Sequence, residues 1–114
     1  LEELDDIAAL DGIDMLFFGP GDFSQGIGAP SEWNHPKITK TRKRVADVAL
    51  KHSKFAGTVG GIANMEELIS MGYSFINLGA DVIELNAYYK NLVGEFSKRC
   101  AGSLKNMDET TSFL

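Results

Sequence analysis

Three short apolar runs, each closed by a glycine, constrain this chain more than any other feature. They are Asp14-Met15-Leu16-Phe17-Phe18, Phe55-Ala56-Gly57-Thr58-Val59 and Phe75-Ile76-Asn77-Leu78. Each is largely apolar at odd and even positions alike, which is how a parallel strand covered on both faces reads. Helical patterns alternate with these runs. Pro36 suits the first turn of a helix reaching about His52, with Ile38, Thr41, Val45, Val48 and Ala49 as its inward stripe. A shorter helix is expected from Asn64 to Met71, with Asn64 as N-cap, Glu66 and Glu67 at its positive end and Gly72 as its stop. A third is expected from about Val82 to Arg99, with Asp81 as N-cap and Lys98 and Arg99 near the negative end. Residues 1–10 read as an acidic helix leading into the first strand. The order is helix, then strand–helix three times, the rhythm of βα units. Periodicity fades after Ala101, so the chain is read as one domain over residues 1–100 and a tail over 101–114.

Three parallel strands leave two apolar edges without partners, and such edges aggregate unless something covers them. A (β/α)8 barrel takes about 250 residues, and this chain has 114. The expectation is a piece of a larger barrel or a domain completed by another chain; the first residue, Leu1, rather than Met, fits the former. The single cysteine, Cys100, rules out an internal disulfide and suits a reducing cytoplasm, where it reads as a structural thiol. No apolar run is long enough to span a bilayer, and the acidic N-terminus lacks a secretory pattern. The net charge is -5, and residues 1–36 hold no Lys or Arg, whereas Lys37 to Lys54 hold seven of the eleven. Without interleaved aromatic residues, that basic run reads as a solvated helix face, so neither nucleic acid nor membrane is an expected partner.

Chemistry concentrates after the first run, in Gly19-Pro20-Gly21-Asp22-Phe23-Ser24-Gln25-Gly26-Ile27-Gly28. The end of a parallel strand is where α/β enzymes put their active sites. Glycines let the backbone approach a ligand, Pro20 stiffens the approach, and the Asp22 carboxylate suits a hard divalent cation. Exposed Gly-rich N–H groups beside it suit a substrate carboxylate. Gly, Pro and Asp are equally the residues of a plain turn, and the residues alone leave both readings open. A phosphate loop is disfavoured, since the glycine spacing is wrong and no Lys-Ser/Thr pair follows.

The stretch Asp11-Gly12-Ile13-Asp14-Met15-Leu16-Phe17-Phe18-Gly19-Pro20-Gly21-Asp22-Phe23-Ser24 resembles the sixth-strand signature of the HpcH/HpaI family of class II pyruvate aldolases. That family includes 4-hydroxy-2-oxoheptanedioate and 2-dehydro-3-deoxyglucarate aldolases and belongs to the phosphoenolpyruvate/pyruvate barrel superfamily. The likeness runs in order to about Lys98. Leu4-Asp5-Asp6-Ile7-Ala8-Ala9 resembles the preceding helix, and Asn34-His35-Pro36 the loop into helix six. Ala56-Gly57 resembles the seventh strand, and Met71-Gly72-Tyr73-Ser74-Phe75-Ile76-Asn77-Leu78-Gly79-Ala80-Asp81 the eighth. The resemblance implies strands six to eight of a (β/α)8 TIM barrel. It matches Asp22 to the family's second metal carboxylate, Gly21 to a backbone N–H that binds the pyruvate carboxylate, and Val59 to a second backbone contact. Gly57-Thr58-Val59 stands where the family has a Gly-Ile-Leu type of sequence.

The family's first metal ligand, a Glu after strand five, its catalytic His and its substrate-binding Arg have no counterpart among these residues. His35 lies in a shared loop and His52 near a helix C-terminus, and both read as structural. The resemblance implies Mg2+, Mn2+ or Co2+ holding the keto and carboxylate oxygens of pyruvate, stabilising its enolate while a 4-hydroxy-2-oxo acid splits into pyruvate and an aldehyde. It also implies a homo-oligomer that exchanges its last helix, for which Val82, Leu85, Tyr88, Tyr89, Leu92, Val93 and Phe96 form an apolar face. With one metal carboxylate and no catalytic residue of its own, the chain alone is expected to bind metal weakly and to lack aldolase activity. The alternatives are a non-catalytic remnant or assembly module of the same fold, and a citryl- or malyl-thioester lyase relative.

Overall fold

The structure, a computed structural model, describes the backbone of residues 1–111 and the side chains of residues 1–101. Its elements follow in order: α1 (Leu4–Ala8), β1 (Met15–Phe18), α2 (Pro20–Gly26), α3 (Pro36–Lys51), β2 (Phe55–Gly60), a 3-10 turn (Ile62–Asn64), α4 (Met65–Ser70), β3 (Phe75–Leu78) and α5 (Asp81–Thr111). The chain divides into two compact units, Leu1–Leu78 and the stretch from Gly79 onward.

In the first unit the strands form one parallel sheet in the order β1-β2-β3. Met15 stands beside Phe55 and Phe17 beside Gly57; Gly57 in turn stands beside Phe75, and Val59 beside Asn77. The period of two therefore sorts the side chains into two faces. Leu16, Phe18, Ala56 and Thr58 are buried on the face that meets α3, which adds Ile38, Thr41, Val45, Val48 and Ala49 as expected, and Ala46 besides. The other face carries Met15, Phe17, Phe55, Gly57, Val59, Phe75 and Asn77, and most of it is open. Phe17 and Phe75 are about half exposed, with their rings edge-on at 6.2 Å.

Two glycines on β2 show how differently the faces are packed. A Cβ on Gly57 would meet Sδ of Met15 and Cδ2 of Phe17, each 2.7 Å away on the open face. One on Gly60 would strike Cδ1 of Leu68 at 2.5 Å and Cγ2 of Ile76 at 3.0 Å. Leu68 is the only buried residue of α4 and is fully enclosed, so Gly60 is the space that lets α4 seat on the sheet.

Several expectations need correction. Helix 1–10 shrinks to Leu4–Ala8, and Gly12, with φ of 84°, turns the chain into β1. Asn64 does not cap α4 with its side chain; its Oδ1 instead accepts from the Gly61 N–H at 2.8 Å, closing the 3-10 turn ahead of the helix. Gly72 ends α4 as expected, with φ of 101°. Asp81 is the first residue of α5 rather than its cap, and the Ile83 and Glu84 N–H groups bond back to the Ala80 carbonyl, both at 3.1 Å. The helix also continues past Arg99 to Thr111. Residues 101–111 contain no proline and several good helix formers, so loss of amphipathic pattern there does not end the helix; 112–114, the rest of the expected tail, lie outside the described residues.

The basic run is not uniformly a solvated face. Lys37, Lys40, Lys43 and Arg44 are exposed, but Arg42 turns inward, with its guanidinium carbon 5.9 Å from the centre of the Phe18 ring. Its Nε is buried without a hydrogen-bond partner among the described residues. At the other end of α3, Asp5 accepts from Lys51 Nζ at 2.6 Å and pairs with His52 Nε2 at 3.2 Å. The Lys51 bond, then the His52 bond, hold the Asp5 carboxyl below its usual range, and they fasten α1 to the end of α3.

Tyr73, at 3% exposure, donates its hydroxyl to the Arg42 carbonyl at 2.7 Å. Burial pushes its phenol up to about 12, against the opposing charge of Arg42. A raised phenol gives stability that is complete below the unfolded value of about 10 and declines as pH climbs through the folded one. Tyr73→Phe is therefore expected to cost about 1 kcal/mol at neutral pH through the lost hydrogen bond. Its denaturation midpoint should converge on that of the unmodified chain between pH 10 and 12. Parallel curves across that range would refute the assignment.

Candidate active site

β1 ends at Phe18, and Gly19 is the N-cap of α2 in extended backbone, φ -94° and ψ 94°. Pro20 takes the first helical position, where a missing N–H costs nothing. The Gly-Pro-Gly-Asp stretch, for which the residues alone left a plain turn and a ligand-binding strand end both open, is thus the opening turn of a short helix. Gly21 and Asp22 follow in that turn, where backbone N–H groups have no carbonyl within the helix to bond. The Phe23 N–H closes the turn on the Gly19 carbonyl at 3.1 Å.

The turn is held from behind. Ser24, 1% exposed, donates its hydroxyl to the Gly21 carbonyl at 2.7 Å and accepts from the Ser31 N–H at 3.4 Å. The Phe23 ring packs 5.4 Å from that of Phe18. Thr58, completely buried, donates to the Phe18 carbonyl at 2.9 Å and so ties β2 to the last peptide of β1. These contacts fix where α2 begins, while Asp22 itself stays exposed. Its carboxylate bends back toward the cap, with Oδ2 3.6 Å from where a Gly19 Cβ would lie.

Val59 projects from the open sheet face and is 38% exposed. The β1–β2 register pairs Phe18 with Thr58, so one further step sets Val59 level with Gly19. Asp22 and Gly21 therefore share a turn, and Val59 lies at the same end of the sheet. The remaining singled-out residues lie apart from this turn. His35 caps α3, its Nδ1 accepting from the Lys37 N–H at 3.2 Å, and His52 is bound to Asp5. Cys100 is a half-buried free thiol in the second unit. One open groove of about 440 Å³ is lined by Asp5, Lys40, Lys43, Arg44, Asp47, Val48 and Lys51 on the outer side of α3.

Asp22 offers the hard oxygen donor that Mg2+, Mn2+ or Co2+ prefers. Among the described residues, no three His, Cys, Asp or Glu are grouped to hold a metal ion. In donor type Asp22 suits such a cation, and it would be one ligand toward it. No helix among the described residues is long and apolar enough to cross a membrane.

A three-stranded parallel sheet whose strands alternate with helices defines an α/β domain. Residues 1–87 match the HpcH/HpaI aldolase/citrate lyase family, and the chain belongs to it. It is 27% identical over 99 residues to 5-keto-4-deoxy-D-glucarate aldolase of Enterobacter sp. (strain 638), covering 86% of this chain and 39% of that protein. It is 33% identical over 88 residues to 2-keto-3-deoxy-L-rhamnonate aldolase of Klebsiella pneumoniae, covering 73% of this chain and 32% of that one. The crystal structure of an HpcH/HpaI aldolase from Desulfitobacterium hafniense DCB-2 superposes with a TM-score of 0.75 at 27% identity, over 83% of this chain and 38% of that one. The chain therefore spans between about a third and two fifths of the proteins it resembles.

Proposed function

We propose that this chain forms the sixth to eighth βα units of a (β/α)8 barrel, and that Asp22 is the second metal carboxylate of a class II pyruvate aldolase site. The observation that carries the reading is the position of Asp22, exposed in the first turn of a helix that opens directly off β1. Open, apolar Phe17, Phe55 and Phe75 on the sheet face away from α3 support further strands closing over that face. Gly21 and Val59 supply N–H groups for the carboxylate of a 2-oxo acid, and Ser24 holds Gly21 by its carbonyl. When bound, a hard divalent cation supplies Lewis-acid polarisation of the keto oxygen. The substrate class is a 4-hydroxy-2-oxo acid, cleaved to pyruvate and an aldehyde. The names of the similar aldolases favour this over a citryl- or malyl-thioester lyase.

Paramagnetic Mn2+ tests the site directly, because it broadens nearby amide resonances. Added to the chain, it should broaden Gly21, Asp22 and Phe23 first, and broadening that begins elsewhere would remove Asp22 from the metal site. Since the catalytic His, Arg and first metal Glu have no counterpart here, the isolated chain should release no pyruvate from a 4-hydroxy-2-oxo acid. Clear metal-dependent release would overturn that division of roles.

A second copy of the chain is the proposed partner of α5. Val82, Leu85, Tyr88, Tyr89, Leu92, Val93 and Phe96 are each at least half exposed, an apolar stripe unusual for a solvent-facing helix. Light scattering should report a species heavier than the 12.4 kDa monomer, and a stable monomer would refute the exchange.

A further inference from the structure

The open face of the sheet is apolar at every position but one. Met15, Phe17, Phe55, Gly57, Val59 and Phe75 make up the rest, and Asn77 is the single polar member. It stands at the end of β3 where the sheet carries its chemistry. The register pairs it with Val59, and one step beyond the Phe18–Thr58 pair sets Gly19 on the same level. Gly19, Val59 and Asn77 thus form one row across the three strands, with Asp22 rising from the turn that Gly19 begins. Neighbouring strands lie about 4.8 Å apart, so the Asn77 side chain stands beside that of Val59 on the open face, at the end of the sheet that holds Asp22. Asn77 is exposed, and its amide makes no side-chain hydrogen bond to another described residue.

We infer that Asn77 is a substrate-binding residue whose side-chain N–H donates to the carboxylate of the 2-oxo acid, beside the backbone N–H of Val59. The inference rests on the aldolase-site reading of Asp22, Gly21 and Val59. Its physical basis is the mismatch between an amide and the face that holds it. Once that face is covered, an amide without a partner costs free energy, and buried polar side chains are accordingly found bonded. Among the three described strands no other side chain on the face offers a hydrogen-bonding oxygen or nitrogen, and the carboxylate held in the Gly19–Val59–Asn77 row is the partner assigned to it. An amide donor also selects for an anionic oxygen without adding a charge that would compete with Asp22 for the cation.

The test uses the whole chain, isotopically labelled, with Mg2+ present and pyruvate as the probe. Pyruvate should shift the Asn77 side-chain amide signal together with the Gly21 and Val59 backbone amides, along one saturation curve. Asn77→Ala should weaken pyruvate roughly tenfold, the loss of one charge-assisted hydrogen bond. Asn77→Asp, which sets a carboxylate against a carboxylate, should weaken it further, and Asn77→Ala should keep the unmodified affinity for Mn2+. If Gly21 and Val59 shift while the Asn77 amide stays still, or if Asn77→Ala binds pyruvate undiminished, this assignment is wrong and the aldolase site stands. If none of the three moves, the site reading fails and this inference fails with it. Should a variant not fold, the side-chain shift in the unmodified chain decides alone.

Discussion

Leu68→Ala is expected to lower the melting temperature of the chain by roughly 10 to 30 °C, from a loss of about 2 to 5 kcal/mol. The size of the effect follows from how α4 is held. The helix has six residues, Met65–Ser70, too few to persist in water without tertiary support. Its only buried residue is Leu68, which is fully enclosed against Gly60 and the core. Truncation removes both the transfer free energy of three carbons, a methine and two methyls, and the contact that docks the helix on β2 and β3. Neighbouring Ile69 gives the matched control, since it is 56% exposed on the same helix. Ile69→Ala should stay within about 0.5 kcal/mol, as surface substitutions usually do. Thermal denaturation of the three chains side by side checks the claim. Equal losses at 68 and 69 would mean that α4 does not pack by the Leu68 face.

The same packing explains how far the fold could be read before any coordinates. The strands were legible because burial on both faces leaves an apolar run with few alternative uses, and the long α3 because its stripe repeats over sixteen residues. α2 was not legible. It has seven residues, two of them glycine after its proline, so it shows neither period nor propensity. Only Pro20 at the first position and Asp22 in the first turn signal a helix start, and both serve a turn equally well. The end of α5 was missed for the opposite reason, as helix propensity outlasts amphipathic pattern in residues 101–111. Arg42 and Asp5 depend on partners 24 and 47 positions away, Phe18 and His52, and nothing local in the sequence announces such pairs.

The site divides along similar lines. Asp22 and Gly21 stood out through their local motif, and Val59 through resemblance. Asn77 did not, because a single polar residue in an apolar run looks like noise until register sets it beside Val59. Thr58 was noticed only as a departure from the family's usual residue. Its buried hydroxyl proves to bond the Phe18 carbonyl, 2.9 Å away on the neighbouring strand. Membership of the aldolase/citrate lyase family was legible because the matching segments are collinear over most of the chain.

Asp22→Asn is expected to weaken Mn2+ binding by tenfold or more while leaving the fold intact. The carboxylate is exposed and enters no side-chain hydrogen bond with another described residue. Replacing it with an amide of the same shape therefore removes charge without leaving a buried group unsatisfied. A hard cation loses its only carboxylate in this turn, and an amide oxygen is a much weaker ligand. Helix α2 should lose only a few tenths of a kcal/mol, the value of an acidic residue in an exposed first turn. Two other carboxylates give the comparison that makes the result specific. Asp14 and Asp11 precede β1 and lie at the opposite end of the strand from Asp22, so Asp14→Asn and Asp11→Asn should leave Mn2+ affinity unchanged. If Asp22→Asn binds Mn2+ as well as the parent chain, or if all three substitutions weaken it alike, the cation is held by diffuse negative charge. The metal centre would then have to be sought away from the Gly-Pro-Gly-Asp turn.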